Sequence, residues 1–340
     1  MWQIKIFNFG LKDKHFIKYT RIFFMTKTLK IIEVKSEIGA GTRGASLGVD
    51  AIKIAALDFG SRFFKKHKSV EIPNENHLLL ESTGSPFAKR ISGILTMVER
   101  VSDEVSATLN KDEFPIVLAG DHSTAAGTIA GIKAVHPKAK LGVVWIDAHA
   151  DLHSPYTTPS GNMHGMPLAM ALDEDNLDAK VNKLDQETIN YWYQLKNVGK
   201  IAPKISYRDL VLISAREMER PEEQLLKKNK VKIFTTAELR KRGVERTVIE
   251  TLKYLDHCDL IYVSFDVDSL DPTASRGTGT PVAQGLTERE AGNLMSRLIT
   301  NQKVCCFEIV EVNPTLDREN QMAEHAFEIL IKATNAFRNE

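Results

Sequence analysis

The sequence predicts an α/β protein, a three-layer αβα arrangement around a mostly parallel central sheet, on three observations. Short apolar runs alternate with longer stretches of helical period, as βα units do. The runs are nearly continuous rather than alternating, which suits strands covered by helices on both faces. No internal repeat, low-complexity linker or composition break divides the chain, so residues 29–338 read as one domain behind an N-terminal extension at 1–28.

Taken in order, the buried-strand candidates are 29–34, 115–119, 141–146, 209–213, 231–234, 260–265 and 304–310. Helical patterns fall at 48–66, 86–109, 124–135, 222–228, 236–241, 245–255, 287–300 and 320–338. Thr287 and Glu290 have the Thr-x-x-Glu form of a capping box, in which hydroxyl and carboxylate each satisfy a free amide. The polar stretch 173–205, with Trp192 and little period, reads as an excursion on the rim of the sheet. Asp271-Pro272 and the segment 278–281 read as turns.

Composition narrows the function. The chain has 340 residues, 45 Lys+Arg against 44 Asp+Glu, a net charge of +1, 43% hydrophobic and 26% charged residues. That balance argues against a nucleic-acid surface and against wholesale disorder. No window approaches the ~18 consecutive apolar residues of a spanning helix. The N-terminal 27 residues are broken by Lys5, Lys12, Lys14, Lys18 and Arg21, unlike a secretory signal. They read either as an extension outside the fold, with Met25 opening a cleaner strand pattern, or as a basic amphipathic anchor. Three cysteines, Cys258, Cys305 and Cys306, are too few for a disulfide framework and fit a reducing cytoplasm.

Chemistry collects where three apolar runs end: Gly120-Asp121-His122-Ser123, Asp147-Ala148-His149-Ala150-Asp151, and Asp266-Val267-Asp268. In extended chain, residues two apart project the same way, so Asp147, His149 and Asp151 share a face, as do Asp266 and Asp268. The carboxyl ends of strands in an open α/β sheet form the ligand crevice, where these groups can converge. Four carboxylates in one place push their own pKa values up unless cations are present. Two divalent metals relieve that repulsion, and six O/N donors without thiolate favour Mn²⁺ over a closed zinc site. Such a pair can lower the pKa of a shared water toward neutrality. A lone Asp-x-Asp or Asp-x-His is more often a turn or a cap, and a purely structural metal is the remaining alternative.

Nearby, the loop Ser160-Gly161-Asn162-Met163-His164-Gly165 has glycines that allow close backbone turns. His164 there is either an acid–base group or a hydrogen-bonded structural histidine. Glu308 and Glu311 end an apolar run and either grip a cationic substrate or pair with an arginine such as Arg276 or Arg289.

Taken jointly and in order, these motifs resemble the ureohydrolases, the manganese enzymes that hydrolyse guanidino groups to urea, and within them the arginase branch. The resemblance spans residues 31 to about 330 and includes Ser264-Phe265-Asp266-Val267-Asp268-Ser269-Leu270-Asp271-Pro272 and Glu311-Val312-Asn313-Pro314. It implies that His122, Asp147, Asp151 and Asp266 ligate one Mn²⁺, and Asp147, His149, Asp266 and Asp268 a second, with Asp147 and Asp266 bridging. It also implies a bridging hydroxide, oriented by Asp151, that attacks the guanidino carbon of L-arginine and yields L-ornithine and urea. His164 matches the proton-shuttling histidine, Glu311 the guanidinium-holding glutamate, and Thr280 the threonine near that group. Thr158, Ser160 and Asn162 match the loop that hydrogen-bonds the substrate's α-groups.

Two positions near the substrate's far end depart from the arginase pattern. Glu219 stands where an aspartate usually faces the α-amine, and His153 where an asparagine contacts the α-carboxylate. The 173–205 excursion is also longer than usual. These departures leave open agmatine, another guanidino acid or formimidoylglutamate as substrate. A one-zinc deacetylase would leave His122 and Asp268 idle, and a scaffold with a retained metal would have no use for His164 and Glu311. The resemblance further implies a homotrimer or homohexamer.

Overall fold

Eight strands lie among the described residues: β1 (Leu29–Val34), β2 (Lys68–Glu71), β3 (Phe114–Ala119), β4 (Leu141–Ile146), β5 (Leu210–Ile213), β6 (Lys232–Phe234), β7 (Leu260–Asp266) and β8 (Val304–Val310). All are parallel and form one sheet in the order β2-β1-β3-β8-β7-β4-β5-β6. The computed structural model describes residues 28–337, so the readings of the N-terminal 27 residues lie outside the described residues, as does position 338 of the last helix, which runs over Gln321–Thr334 before the turn Asn335–Phe337. No helix among the described residues is long and apolar enough to cross a membrane.

The continuous apolar runs are explained by two cores. In β3, Val117 and Ala119 face one core while Ile116 and Leu118 face the other; in β4, Val143 and Trp145 oppose Val144 and Ile146. Helices Ile91–Leu109, Ala125–Val135, Pro167–Leu172 and Arg220–Lys228 cover the first face. Helices Gly48–Asp58, Val244–Tyr254, Glu288–Ile299 and Gln321–Thr334 cover the second. Each large apolar side chain buried this way contributes about 1.5–3 kcal/mol before conformational entropy is charged against it. The Thr287 capping box is present, with Thr287 Oγ1 accepting from the Glu290 amide at 3.1 Å and Glu290 Oε2 accepting from the Thr287 amide at 2.9 Å.

Three expectations change. The helix over 48–66 breaks after Asp58, where Gly60 takes φ +63°, and a four-residue helix, Phe63–Lys66, leads into the unforeseen edge strand β2. The helix over 86–109 starts only at Ile91, after Arg90 with φ +56°. The 173–205 excursion carries a helix, Gln186–Asn197, whose inward side is Thr188, Trp192, Leu195 and Lys196. Its helical period is therefore written partly in polar residues. Lys196 is buried because its ammonium meets Asp173 at 2.9 Å and Asp175 at 2.7 Å, and Trp192 Nε1 also donates to Asp175 at 2.7 Å.

The strand order decides where function can sit. The chain lays β2 outside β1 and β3 inside it, crosses to build outward through β4–β6, and returns to fill the middle with β7 and β8. Consequently β3, β8, β7 and β4 are neighbours, and the segments leaving their carboxyl ends meet over the centre of the sheet.

Candidate metal centre

Each of those four strands delivers part of one buried cluster. After β3, Gly120 passes so close to the Ser36 carbonyl that a Cβ would collide with it. Asp121 then caps a short turn, accepting from the amides of Ser123 and Gly39 at 3.0 Å each and from the Ser123 hydroxyl. This fixes His122, 1% exposed, with its ring stacked on Trp145 at 4.0 Å and 5°. After β7, Asp266 caps the turn Val267–Ser269, its Oδ1 accepting from the Asp268 amide at 2.8 Å. After β4, the amide of His149 donates to Asp147 Oδ1 at 2.7 Å, and the chain turns through Asp151 at φ +49°. After β8, Glu311 sits at φ +66°. Such strained backbone at a site is held by its surroundings; here the Glu311 amide donates to the Gly120 carbonyl at 2.9 Å, and Leu168 donates to the Asp151 carbonyl at 3.1 Å.

The six candidate ligands converge. His122 Nδ1 lies 3.2 Å from Asp147 Oδ2, 3.0 Å from Asp151 Oδ2 and 3.2 Å from Asp266 Oδ2. His149 Nδ1 lies 2.9 Å from Asp268 Oδ2 and 3.5 Å from Asp147 Oδ1. His122, Asp147 and Asp151 form one group with metal-binding spacing, and Asp147, His149 and Asp268 another, so Asp147 belongs to both. Yet His122 Nδ1 and Asp147 Oδ2 are buried without a hydrogen-bond partner. His122 Nε2 is 2.8 Å from the Ser264 hydroxyl. The tautomer that gives Nε2–H to Ser264 leaves Nδ1 as a lone pair facing three carboxylate oxygens. A buried orphan of that kind costs about 1–3 kcal/mol, and a cation among these atoms removes the cost. The donor set, all carboxylate oxygen and imidazole nitrogen, fits a pair of hard-to-borderline divalent metals.

Electrostatics agree with the geometry. Burial and repulsion from Asp147 push Asp151 up to about 6, and burial with Asp268 and Asp147 pushes Asp266 well above the carboxylate range. Burial likewise opposes charge on Asp147, but His122 and His149 outweigh it and hold its carboxyl below that range. Burial opposes a charged His122 too, and its three carboxylate neighbours overcome it. Four aspartates against two histidines leave an excess of buried negative charge, the condition for cation binding.

Beside the cluster, Glu311 Oε1 accepts from the His122 amide and from His164 Nδ1, both at 3.0 Å. Burial disfavours an imidazolium at His164, yet Glu311 pushes it up to about 9. Glu308, expected alongside Glu311 as a possible grip for a cation, instead accepts from the buried Tyr262 hydroxyl at 2.6 Å, and neither glutamate meets Arg276 or Arg289. Thr280, expected near Glu311, donates to Asp268 Oδ2 at 3.0 Å.

In the 158–162 loop, the buried Thr158 Oγ1 accepts from the amides of Gly161 at 3.0 Å and Ser160 at 3.3 Å, while Ser160 Oγ accepts from the Asn162 amide at 3.2 Å. These bonds use lone pairs and leave both hydroxyl hydrogens to donate. Gly161, at φ +73° and packed on the Pro86 carbonyl, admits no side chain. His153 spends both ring nitrogens within the protein, on Thr157 Oγ1 at 3.0 Å and Glu219 Oε2 at 3.1 Å. The imidazole bond outweighs the burial of Glu219 and takes its carboxyl down to about 2.

Several supporting groups escape sequence reasoning. Ser264 orients His122, Asp121 fastens the 36–40 loop, and Glu222 accepts from the Leu152 amide at 3.0 Å. Arg216 donates to the carbonyls of Asp268 and Val282 at 2.8 Å each and of Ala283 at 3.0 Å, tying the loop that carries Thr280 to the end of β7. Asp121 stands in a strand-end motif already visible in the sequence, and Ser264, two residues before Asp266 on an apolar strand, carries a signal of its own: a polar side chain on the face of Asp266.

The model of the Arginase family matches residues 27–335. Arginase of Bacillus subtilis (strain 168) is 34% identical over 318 residues, covering 90% of this chain and 97% of that protein. Arginase of Brevibacillus brevis is 35% identical over 310 residues, with the same coverage of 90% and 97%. The native crystal structure at pH 5.6 of arginase from Bacillus caldovelox superposes with a TM-score of 0.79 at 33% identity, over 92% of this chain and 99% of that one.

Proposed function

The chain belongs to the arginase family and is a hydrolase of that family, and on that premise we propose that it converts L-arginine to L-ornithine and urea at a dinuclear Mn²⁺ centre. The observation that carries this reading is the pair of buried, partnerless atoms, His122 Nδ1 and Asp147 Oδ2, inside a ring of six O/N donors. His122, Asp147, Asp151 and Asp266 would hold one ion, and Asp147, His149, Asp266 and Asp268 the other. When bound, two such cations lower the pKa of water toward neutrality and so supply a nucleophile.

The remaining steps belong to side chains. Glu311, anchored by the His122 amide and His164, presents negative charge to the guanidinium. The water oxygen becomes the carbonyl oxygen of urea, the bond from the guanidino carbon to the chain nitrogen breaks, and that nitrogen takes up a proton. His164, raised to about 9, stores such a proton at working pH, with Glu311 fixing its Nδ1. Thr158, Ser160 and Asn162 face the α-carboxylate, and Glu219 the α-amine. His153 acts by orienting Glu219, which shortens the effective reach of that long side chain. Residence in the cytoplasm and assembly as a homotrimer or homohexamer complete the proposal.

Urea release from Mn²⁺-loaded protein tests it, with L-arginine, agmatine and an N-terminally blocked guanidino acid side by side. L-Arginine is expected to exceed agmatine in kcat/KM by about a hundredfold, since a site that hydrogen-bonds an absent group is left with unpaired donors. Equal rates, or urea from agmatine alone, would reject the α-group assignment. His153→Asn in the same panel is expected to keep kcat for L-arginine and raise KM by up to about tenfold, the worth of one positioning hydrogen bond. A large loss of kcat would give His153 a part in the chemistry.

A further inference from the structure

At the opposite, amino-terminal end of the strands, the turns that lead into β5 and β7 bring together an aspartate, a histidine and a cysteine. We propose that Asp209, His257 and Cys258 form a second, separate metal site, for one borderline divalent cation of the zinc class. Cys258 Sγ lies 3.6 Å from His257 Nε2 and 3.7 Å from Asp209 Oδ1, and His257 Nε2 lies 2.7 Å from Asp209 Oδ1. Bonds of about 2.0 Å to O or N and 2.3 Å to S in a tetrahedron put ligand atoms about 3.3–3.7 Å apart. Both sulfur distances already match, and the Asp209–His257 edge needs to open by roughly half an ångström to reach that range.

The groups behind these atoms are arranged as outer partners of metal ligands are. His257 Nδ1 donates to the Tyr254 carbonyl at 3.1 Å, as the outer nitrogen of a metal-ligating histidine does, and a cation would replace the proton that Nε2 shares with Asp209 Oδ1. Asp209 Oδ2 is held by the Ser206 amide at 3.1 Å and hydroxyl at 2.5 Å, which leaves Oδ1 for the site. Asp209 and Cys258 are buried while the His257 side chain is 35% exposed, so a cation has an entry path and room for water as fourth ligand. Arg208, whose Nε is 3.8 Å from Asp209 Oδ1, is 67% exposed and free to swing away. Burial and Asp209 push the Cys258 thiol up to about 12, so loading the site expels its proton, for which the incoming charge supplies the drive. The sulfur donor separates this site from the central cluster, whose donors are all oxygen and nitrogen. A cation here would tie the 206–209 turn to the 254–258 turn and brace the entries to two strands that flank β4.

The test uses full-length protein saturated with Mn²⁺ and titrated with Co²⁺ as a spectroscopic probe, then with Zn²⁺ as competitor. One Co²⁺ per chain with a near-ultraviolet thiolate-to-cobalt charge-transfer band, displaced by Zn²⁺, is the expected result. Cys258→Ser should lose the band, and His257→Gln, a change at a partly exposed side chain, should weaken Co²⁺ binding by ~100-fold. Wild-type protein without the band, or a band that survives Cys258→Ser, overturns the proposal, as does wild-type affinity in His257→Gln.

Discussion

Asp147→Ala is expected to lower urea release from L-arginine by about a thousandfold or more while the protein still folds. Asp147 is the residue common to both groups of metal-binding spacing, its Oδ2 facing His122 and its Oδ1 facing His149. Its loss removes one donor from each proposed ion, and the cations supply several kcal/mol of charge stabilisation that water alone cannot. Global unfolding is not expected, because the alanine keeps the backbone bond from the residue 147 amide to the Ile213 carbonyl and β4 is held by β5 and β7 along its length. Steady-state kinetics and a melting curve on the same preparation check both halves. Full activity in a folded variant would mean that the carboxylate is dispensable and the bridging assignment wrong.

Glu311→Gln is the second large effect, and it isolates charge from shape. Glutamine is nearly isosteric and its carbonyl still accepts from the His122 amide, so the local backbone at φ +66° persists. What disappears is the negative charge, and two consequences follow. The substrate guanidinium loses its counter-charge, which is expected to reduce kcat/KM by about 10²–10³. His164 loses the neighbour that does most to raise its imidazolium to about 9, so its pKa falls, with Asp151 and Asp121 left to oppose burial. The sign is therefore a proton held less tightly in the variant, readable as a lower apparent pKa for His164 by NMR titration. A variant with wild-type kcat/KM would place guanidinium recognition elsewhere.

Much of this cluster was legible in the sequence because its candidate ligands come in short local motifs at strand ends. Asp147, His149 and Asp151 lie within five residues, and Asp266 and Asp268 within three, so alternation along extended chain was enough to group them. The parallel sheet then brought β3, β7 and β4 together, as the continuous apolar runs implied. The roles of long-range partners were harder to read. That Thr280 donates to Asp268, that Glu308 is taken by Tyr262, and that His153 spends its ring on Thr157 and Glu219 depend on loops packing over distances no local pattern encodes. The helix Gln186–Asn197 was hidden for a different reason: its inward face contains Lys196, whose burial is offset by Asp173 and Asp175 rather than by apolar neighbours. Strand β2 was hidden because three of its four residues are exposed, leaving no apolar run to read.

The most direct test of the account is the number of Mn²⁺ ions bound per chain, measured by metal analysis after equilibrium dialysis on wild-type protein and on Asp147→Ala. Two ions per wild-type chain, and fewer than two in the variant, is the result that the shared carboxylate predicts. One ion or none in the wild type, or two ions retained in the variant, would contradict a dinuclear centre built on Asp147.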